Sequence, residues 1–305
     1  MNATRKSLSW PRRVVLLIPY TWLVAFILVP TFIVLRMSVS EMEYGMPPYT
    51  PVYDPAAGLA GVKDFLAALT LENYARFVSE GDYFRSYLNS VQIALISTAI
   101  LLLIGFPVAY GIARAPRRLQ SILLMLVVLP FWTSFLIRIY AWITILQHDG
   151  PLNRTLLAFG LVQQAPVWLT TDTAVYIGIV YSYLPFMVLP IYATIEKLDQ
   201  TLLEAAADLG CPPWKSFWLV TLPLAMRGVI AGVLLCFIPI VGEFVIPGLL
   251  GGSDTLMIGQ TLWMEFYRNT DWPLASAIAI MLLLLLLGPI MIYQHLQMRE
   301  LEARR

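Results

Sequence analysis

The sequence predicts an all-α protein with six transmembrane helices. Of its 305 residues, 59% are apolar and only 13% are charged, whereas soluble domains carry about 25% charged residues. The apolar residues collect in stretches of about 20 or more, the length that an α-helix needs to cross the hydrocarbon core of a bilayer. Six stretches meet this requirement: 14–35, 89–113, 119–146, 174–195, 228–250 and 274–293.

The positively charged residues predict the orientation of these helices. Lys and Arg collect in the N-terminus, between the second and third helices, between the fourth and fifth helices, and in the C-terminal tail. Six crossings put all four segments on one side, and the positive-inside rule makes that side the cytoplasm. The predicted order is a cytoplasmic N-terminus (1–13), a first span (14–35), an outer loop (36–88), a core of five spans (89–293) and a cytoplasmic tail (294–305).

Composition and motifs exclude several classes of protein. A net charge of +1 provides no basic face for nucleic acid. The chain lacks a Walker A loop, a nucleophile elbow and a metal-ligand motif, so catalysis, a bound cofactor and a metal site are not expected. A cleavable signal peptide is the alternative interpretation of the first apolar stretch, but that stretch exceeds the roughly 7–15 apolar residues of such peptides.

A polar segment at 198–223 interrupts the apolar pattern between the fourth and fifth helices. Thr201 and Glu204 have the spacing of a capping box, in which Thr201 caps a helix and Glu204 reaches back to it. The alanines that follow favour a short helix, Gly210 suits the left-handed residue that ends one, and the next two prolines prevent its continuation. The segment is therefore predicted to form two short helices that expose small and aromatic residues to the cytoplasm.

The order of residues in this segment resembles the EAA loop of permease subunits of ATP-binding-cassette importers, which docks onto a separate ATPase. Glu204-Ala205-Ala206 is followed by Gly210 and then by Leu222-Pro223, ahead of the last two helices, as in the family. Val220 and Cys211 depart conservatively from the family pattern. The resemblance assigns ATPase coupling to Glu204, Ala205, Ala206, Asp208, Gly210, Leu222 and Pro223.

The resemblance covers about residues 88–293 and points to permeases of putrescine/spermidine importers. It implies a type I importer fold in the bacterial inner membrane and a heterodimer with a second permease subunit. It also implies two copies of a cytoplasmic ATPase, which would bind ATP and Mg²⁺, and a periplasmic substrate-binding protein. Five segments resemble those of the polyamine permeases: 129–135, 183–187, 242–247, 249–252 and 271–273.

Two charged residues fall inside predicted spans, Arg138 in the third and Glu243 in the fifth. Charges inside a membrane need partners, and both residues lie at a similar depth, roughly 12 Å from the outer end of their helices. The favoured interpretation is an ion pair that joins the two helices. The alternative places Glu243 on the translocation path, where it attracts an ammonium group while Arg138 sets its charge state or position.

Aromatic residues are further candidates for the path because their ring faces attract alkylammonium ions. Packing between helices and residence at the membrane interface are the ordinary alternatives for such residues. The candidates near the charged residues or the middle of the bundle are Trp132, Tyr140, Tyr183 and Phe244.

The outer loops carry more Asp and Glu than Lys and Arg. Their field would attract a cationic solute, although membrane topology and contact with a binding protein also explain acidic outer loops. A Tyr- and Pro-rich stretch at 44–55 is predicted to be part of the landing surface for the binding protein. Residues 71–87 are predicted to form an interfacial helix beyond it.

The sequence therefore predicts the permease subunit of an ATP-driven putrescine or spermidine importer. It would form half of the translocation path and would not itself be an enzyme. One alternative is the same importer class with another solute, such as an opine or iron. The other is an ion-gradient-driven secondary transporter with Arg138 and Glu243 as a relay, but the chain shows no inverted repeat and the 198–223 segment would then have no purpose.

Overall fold

The computed structural model describes residues 10–52, 63 and 65–303. Parts of the predicted N-terminus, of the Tyr- and Pro-rich stretch and of the tail lie outside these residues. The described chain is mostly helical, which confirms the all-α prediction, and a single two-stranded hairpin interrupts the helices within it.

The first helices and the hairpin precede the core. They are α1 (Trp10–Leu23), which continues through a π-helical turn (Val24–Leu28) into α2 (Val29–Ser38), then the antiparallel strands β1 (Glu41–Met42) and β2 (Tyr49–Thr50), and then α3 (Glu72–Ser79).

The remaining helices follow in chain order. They are α4 (Gly81–Arg114), α5 (Arg117–Val128), α6 (Phe135–Leu146), α7 (Pro151–Ala158), α8 (Asp172–Ile195), α9 (Thr201–Asp208), α10 (Pro213–Ser216), α11 (Leu222–Val241), α12 (Val245–Leu250), α13 (Ile258–Tyr267) and α14 (Trp272–Ala303).

Five helices among the described residues are long and apolar enough to cross a membrane. They are Val15–Ser38, Gly81–Arg114, Asp172–Ile195, Pro213–Val241 and Trp272–Ile292. A sixth crossing is obtained only if one bent pair of helices counts as one span. Five of the six predicted spans therefore correspond to continuous helices, and the third corresponds to the bent pair.

The third predicted span is not a continuous helix. Arg117–Trp132 and Phe135–Ala158 meet at an angle of 89°. Pro130 lies in a short 3₁₀ turn before the bend, and Thr133 and Ser134 are extended. The amide and the hydroxyl of Thr133 both donate to the Pro130 carbonyl, at 3.3 and 2.8 Å, and close the 3₁₀ turn before the bend.

Two other predicted boundaries are also wrong. The fifth span ends at Val241, and its predicted last turns form the separate short helix α12, so Glu243 lies in a break between helices. The interfacial helix predicted at 71–87 is divided, because α3 ends at Ser79 and α4 begins at Gly81.

The chain divides into two compact units, and the first comprises residues 1–81 and 262–285. Inside it, buried Asn73 donates to the carbonyls of Ser38 and Ser40 at 3.1 and 2.7 Å. Arg76 forms an ion pair of 3.2 Å with buried Asp271. These contacts attach α3 to the end of the first span and to the loop before α14.

The second unit comprises residues 82–261 and 286–305, and its core is the packing of α8 against α11. Glycines allow these helices to approach closely. A Cβ atom on Gly228 would lie 2.6 Å from the Pro190 carbonyl oxygen and would also meet Thr194, and one on Gly232 would lie 3.0 Å from the sulfur of Met187. The close approach therefore depends on the missing side chains.

The Gly228→Ala variant tests this packing. Because the added methyl group meets the Pro190 backbone, we expect it to destabilise the fold by about 1–3 kcal/mol, the usual cost of overpacking. Thermal unfolding of the detergent-solubilised protein measures the change. The matched control is Gly111→Ala in α4, where a Cβ meets nothing within 4 Å. Equal stability of the two variants would contradict the proposed packing.

Candidate functional site

The 198–223 loop contains the two short helices that the sequence predicts, α9 and α10. Gly210 has φ +75°, the left-handed conformation expected of it. The amide of Gly210 donates to the Ala207 carbonyl at 2.8 Å, and that of Cys211 donates to Ala206 at 2.9 Å. This pair of bonds is the Schellman arrangement that closes a helix C-terminus, so the predicted role of Gly210 in the turn is confirmed.

The start of α9 differs from the predicted capping box. Thr201 is the first helical residue, and its amide donates to the Asp199 carboxylate at 3.0 Å. This hydrogen bond from the Thr201 backbone holds the pKa of the Asp199 carboxyl below its ordinary value. Asp and Thr are both strong capping residues. Here Asp199 accepts the hydrogen bond, and the helix begins two residues later, at Thr201.

The loop presents apolar side chains outward from a firmly attached base. Leu209, Trp214 and Trp218 are 88%, 64% and 60% exposed. On the inner side, the ring of Phe217 packs edge-to-face against Phe106 of α4 at a centroid distance of 5.4 Å. An exposed apolar surface with a buried anchor suits the docking of another protein.

The predicted coupling residues lie in this loop with different exposures. Ala206 and Leu222 are partly buried. The others are exposed: Glu204, Ala205, Asp208, Gly210 and Pro223.

Glu243 lies in the break between α11 and α12 and holds that break together. One carboxylate oxygen accepts from the backbone amides of Phe244, Val245 and Ile246 at 3.1, 3.0 and 3.5 Å. The other accepts from the hydroxyl of Tyr183 in α8 at 2.7 Å. The side chain is buried. It therefore satisfies the free amides at the start of α12 and joins that helix to α8.

Arg138 lies in the first turn of α6, directly after the bend, and its side chain is buried. Its guanidinium lies over the ring of Phe131 at 4.7 Å from the centroid and near that of Phe135 at 5.7 Å. Within the described residues, its Nε and Nη1 atoms have no hydrogen-bond partner. The favoured ion pair with Glu243 is absent from the described chain, because each charge has a different environment.

Three aromatic rings connect the surroundings of the two charges. The ring of Phe131, beneath Arg138, contacts Phe186 edge-to-face at 5.2 Å. Phe186 contacts Tyr183 at 6.1 Å, and Tyr183 hydrogen-bonds to Glu243. We refer to Phe131, Phe186 and Tyr183 as the aromatic chain. The structure thus places Arg138, Tyr183 and Glu243 in one cluster, although not as an ion pair.

The other predicted path residues lie on exposed surface. Trp132 and Tyr140 are 74% and 56% exposed, and Phe244 is 42% exposed beside the Glu243 break. Sequence reasoning missed Phe131 and Phe186 as individual candidates, although both lie in segments that resemble the polyamine permeases. Phe131 follows Pro130 in the sequence, and because proline is tolerated at breaks in membrane helices, this position could have indicated that Phe131 lies beside a break.

Two acidic residues of the predicted outer side share an open cavity in the second unit. Asp172, at the start of α8, and Asp254 line a cavity of about 50 Å³ together with Asn89 and Tyr176. The cavity is mostly polar and partly open to solvent.

The Tyr183→Phe variant tests the hydrogen bond to Glu243. Hydrogen bonds to charged groups contribute about 1.5–3 kcal/mol, and we expect a loss of stability in that range by thermal unfolding. Tyr181→Phe is the control, because the Tyr181 ring packs against Trp142 and no hydrogen bond of its hydroxyl is present in the described chain. Unchanged stability of Tyr183→Phe would mean that the bond does not support the break.

Comparison with solved structures identifies the architecture. A bacterial alginate ABC transporter in complex with an alginate pentasaccharide-bound periplasmic protein contains a chain that matches with a TM-score of 0.69. The match covers 95% of this chain and 94% of that chain at 17% sequence identity. A further structure of a bacterial ABC transporter that imports alginate matches with a TM-score of 0.68 at 16% identity. At these identities the likeness shows the importer permease fold alone.

Sequence comparison identifies the family. The spermidine/putrescine transport system permease protein PotB of Haemophilus influenzae is 38% identical over 92% of this chain and 92% of its own length. PotB of Escherichia coli is 41% identical over 73% of this chain and 81% of its own length. The family profile of the binding-protein-dependent transport system inner membrane component matches residues 101–299. The chain therefore belongs to the family of inner-membrane components of binding-protein-dependent transport systems.

Proposed function

We propose that this chain is one of two permease subunits of an ATP-driven importer of putrescine or spermidine. The observation that carries the proposal is the identity of 38% to a spermidine/putrescine permease over nearly the full length of both chains. The buried carboxylate and the aromatic chain support a cationic cargo, because both attract ammonium groups.

ATP hydrolysis belongs to a separate partner in this proposal. The sequence has no Walker A loop, and the exposed apolar surface of the 198–223 loop provides a docking site for an ATPase. A dimer of that ATPase would bind ATP and Mg²⁺. Closure of the dimer on ATP would draw the loops of the two permease subunits together and open the path to the outer side.

The orientation follows from the same assignment. The 198–223 loop, both termini and the Arg-rich turn between α4 and α5 lie on the cytoplasmic side, where positive residues are retained. The hairpin and the cavity beside Asp172 then lie on the periplasmic side, where a substrate-binding protein would deliver its cargo.

The proposed function is tested by uptake of labelled putrescine and spermidine into proteoliposomes that contain this chain with its second permease, ATPase and binding protein. We expect accumulation that requires both internal ATP and the binding protein. Binding-protein-stimulated ATP hydrolysis without uptake of either amine would retain the importer and refute the polyamine substrate. Uptake driven by an ion gradient without ATP would refute the importer.

The Leu209→Glu variant tests the docking surface. A charge at this exposed apolar position should disrupt the interface, so we expect loss of ATPase co-purification and of uptake. The matched control is Leu161→Glu, which changes another Leu in a turn after a short helix, 70% exposed and on the opposite side in the proposed orientation. Normal co-purification of the ATPase with the Leu209 variant would contradict docking at this surface.

A double substitution at the tip of the hairpin tests whether the binding protein contacts this part of the chain. Tyr44 and Met46 are 97% and 93% exposed, while the hairpin base is fixed by Arg36, whose guanidinium lies 5.8 Å from the Tyr49 ring centroid. We expect the variant Tyr44→Ala/Met46→Ala to weaken stimulation of ATP hydrolysis by the binding protein about tenfold, the effect of losing an interface aromatic.

Basal ATP hydrolysis should be unchanged in the hairpin variant, because the altered side chains make no buried contacts. Val52→Ala, near the hairpin base, is the control for a substitution at a less exposed position, 54% exposed. Full stimulation of the double variant at subsaturating binding protein would show that the binding protein lands elsewhere.

A further inference from the structure

Each of the two helix breaks lies inside a segment that the sequence predicts to span the membrane, 119–146 or 228–250. In a membrane, non-helical backbone is tolerated only where protein covers it or water fills a cavity beside it. The bend at Thr133 and Ser134 is exposed in this chain, and Phe244 at the second break is 42% exposed. If the path runs between two permease subunits, residues that line it must be exposed in a single chain. The exposure of both breaks therefore makes them candidates for the part of the surface that faces the path.

The aromatic chain joins these two breaks. Phe131 lies in the turn that precedes the first break, and Tyr183 holds the carboxylate of the second. Phe186 lies between them and is 40% exposed. Its ring is therefore accessible from the path, with a guanidinium beyond one neighbour and a carboxylate beyond the other.

The face of Phe131 already holds a cation. The Arg138 guanidinium lies 4.7 Å from the ring centroid, within the range of cation–π attraction. This cation is bound incompletely, since its Nε and Nη1 atoms have no hydrogen-bond acceptor among the described residues. The rings of Phe131 and Phe135 are its evident source of stabilisation, so moving it breaks no hydrogen bond at those two atoms.

We propose that Phe131 and Phe186 form a binding site for an ammonium group of the cargo, and that Arg138 occupies this site as a tethered competitor when no cargo is present. The proposal rests on the proposed function, because it requires a cationic cargo. The guanidinium and an arriving ammonium repel each other and use the same ring face, so they bind in turn. Return of Arg138 then expels the cargo and prevents it from staying bound.

This arrangement explains why a buried Arg is left without the Glu243 partner that its depth suggests. A permanent ion pair would neutralise both charges and hold Arg138 away from the ring. In the observed structure, the Glu243 carboxylate is bound by Tyr183 and by backbone amides, on the far side of the aromatic chain from Arg138. A cationic cargo between Glu243 and Arg138 is attracted by the Glu243 carboxylate and competes with the Arg138 guanidinium for the ring face.

The experiment measures equilibrium binding of radiolabelled putrescine to the assembled importer in lipid nanodiscs, without binding protein. Arg138→Met keeps an unbranched side chain and removes the charge. We expect it to bind putrescine about tenfold more tightly than wild type, the scale of one partly desolvated cation–π contact. It should also release cargo more slowly, so that the maximal rate of uptake falls.

A second substitution in the same background separates the ring from general packing. Phe131→Leu added to Arg138→Met removes the ring face and should abolish the increase in affinity, whereas Phe131→Tyr should preserve it. Phe159→Leu, at a 76% exposed Phe outside the aromatic chain, is the matched control and should change nothing. Unlabelled 1,4-butanediol, which has the length of putrescine without its charges, should not compete.

The outcomes divide clearly. Binding by Arg138→Met that is no tighter than wild type, or a tighter binding that persists after Phe131→Leu, overturns the competitor site while wild-type uptake of putrescine upholds the proposed function. Absence of polyamine uptake by the wild type overturns the substrate and this site together. If Arg138→Met does not assemble, Phe186→Leu decides, because unchanged putrescine uptake in that variant also overturns the site.

Discussion

The need to satisfy backbone amides at membrane depth is the constraint on which the candidate path depends. A helix that begins inside a bilayer leaves its first amides without acceptors, and the hydrocarbon core contains no water that could accept from them. Glu243 supplies that acceptor for three consecutive amides at the start of α12. Without a carboxylate at this position, α11 and α12 could not be separate helices at low cost, and the aromatic residues beside the break would be placed differently.

The same requirement explains which parts of the structure could be predicted from sequence. Helix existence and number follow from apolar stretches, because any such stretch can satisfy its own backbone. The turn at Gly210 was also predictable, since a left-handed residue followed by two prolines leaves few conformations. These features depend on neighbours in the chain, and local sequence describes them well.

The errors concern contacts between distant segments. Arg138 and Glu243 were expected to pair because opposite charges at equal depth usually do. The break at 242–244 instead leaves free backbone amides that donate to one oxygen of the Glu243 carboxylate. The hydroxyl of Tyr183, from another helix, donates to the other oxygen. Such a competition cannot be seen until the break is known, and proline positions indicate where breaks can occur rather than which of them do. The predicted capping box at Thr201 is wrong for a similar reason, because the Asp199 carboxylate, two residues earlier, accepts from the Thr201 amide instead.

One helical segment connects the two functional regions of the second unit. The span Pro213–Val241 has 29 residues, about 43 Å at 1.5 Å per residue. It begins in the 198–223 loop and ends at the Glu243 break. Gly228 and Gly232 allow it to pack closely against α8. Because Tyr183 belongs to α8 and Glu243 follows α11, their hydrogen bond links this pair of helices. Phe131 lies in the 3₁₀ turn before the bend, and Arg138 lies in α6 after it. In the proposed function, ATPase docking at the 198–223 loop would displace this pair of helices relative to Phe131. Such a displacement would change the distance between Phe131 and Tyr183, as the proposed alternation between Arg138 and a cargo cation requires.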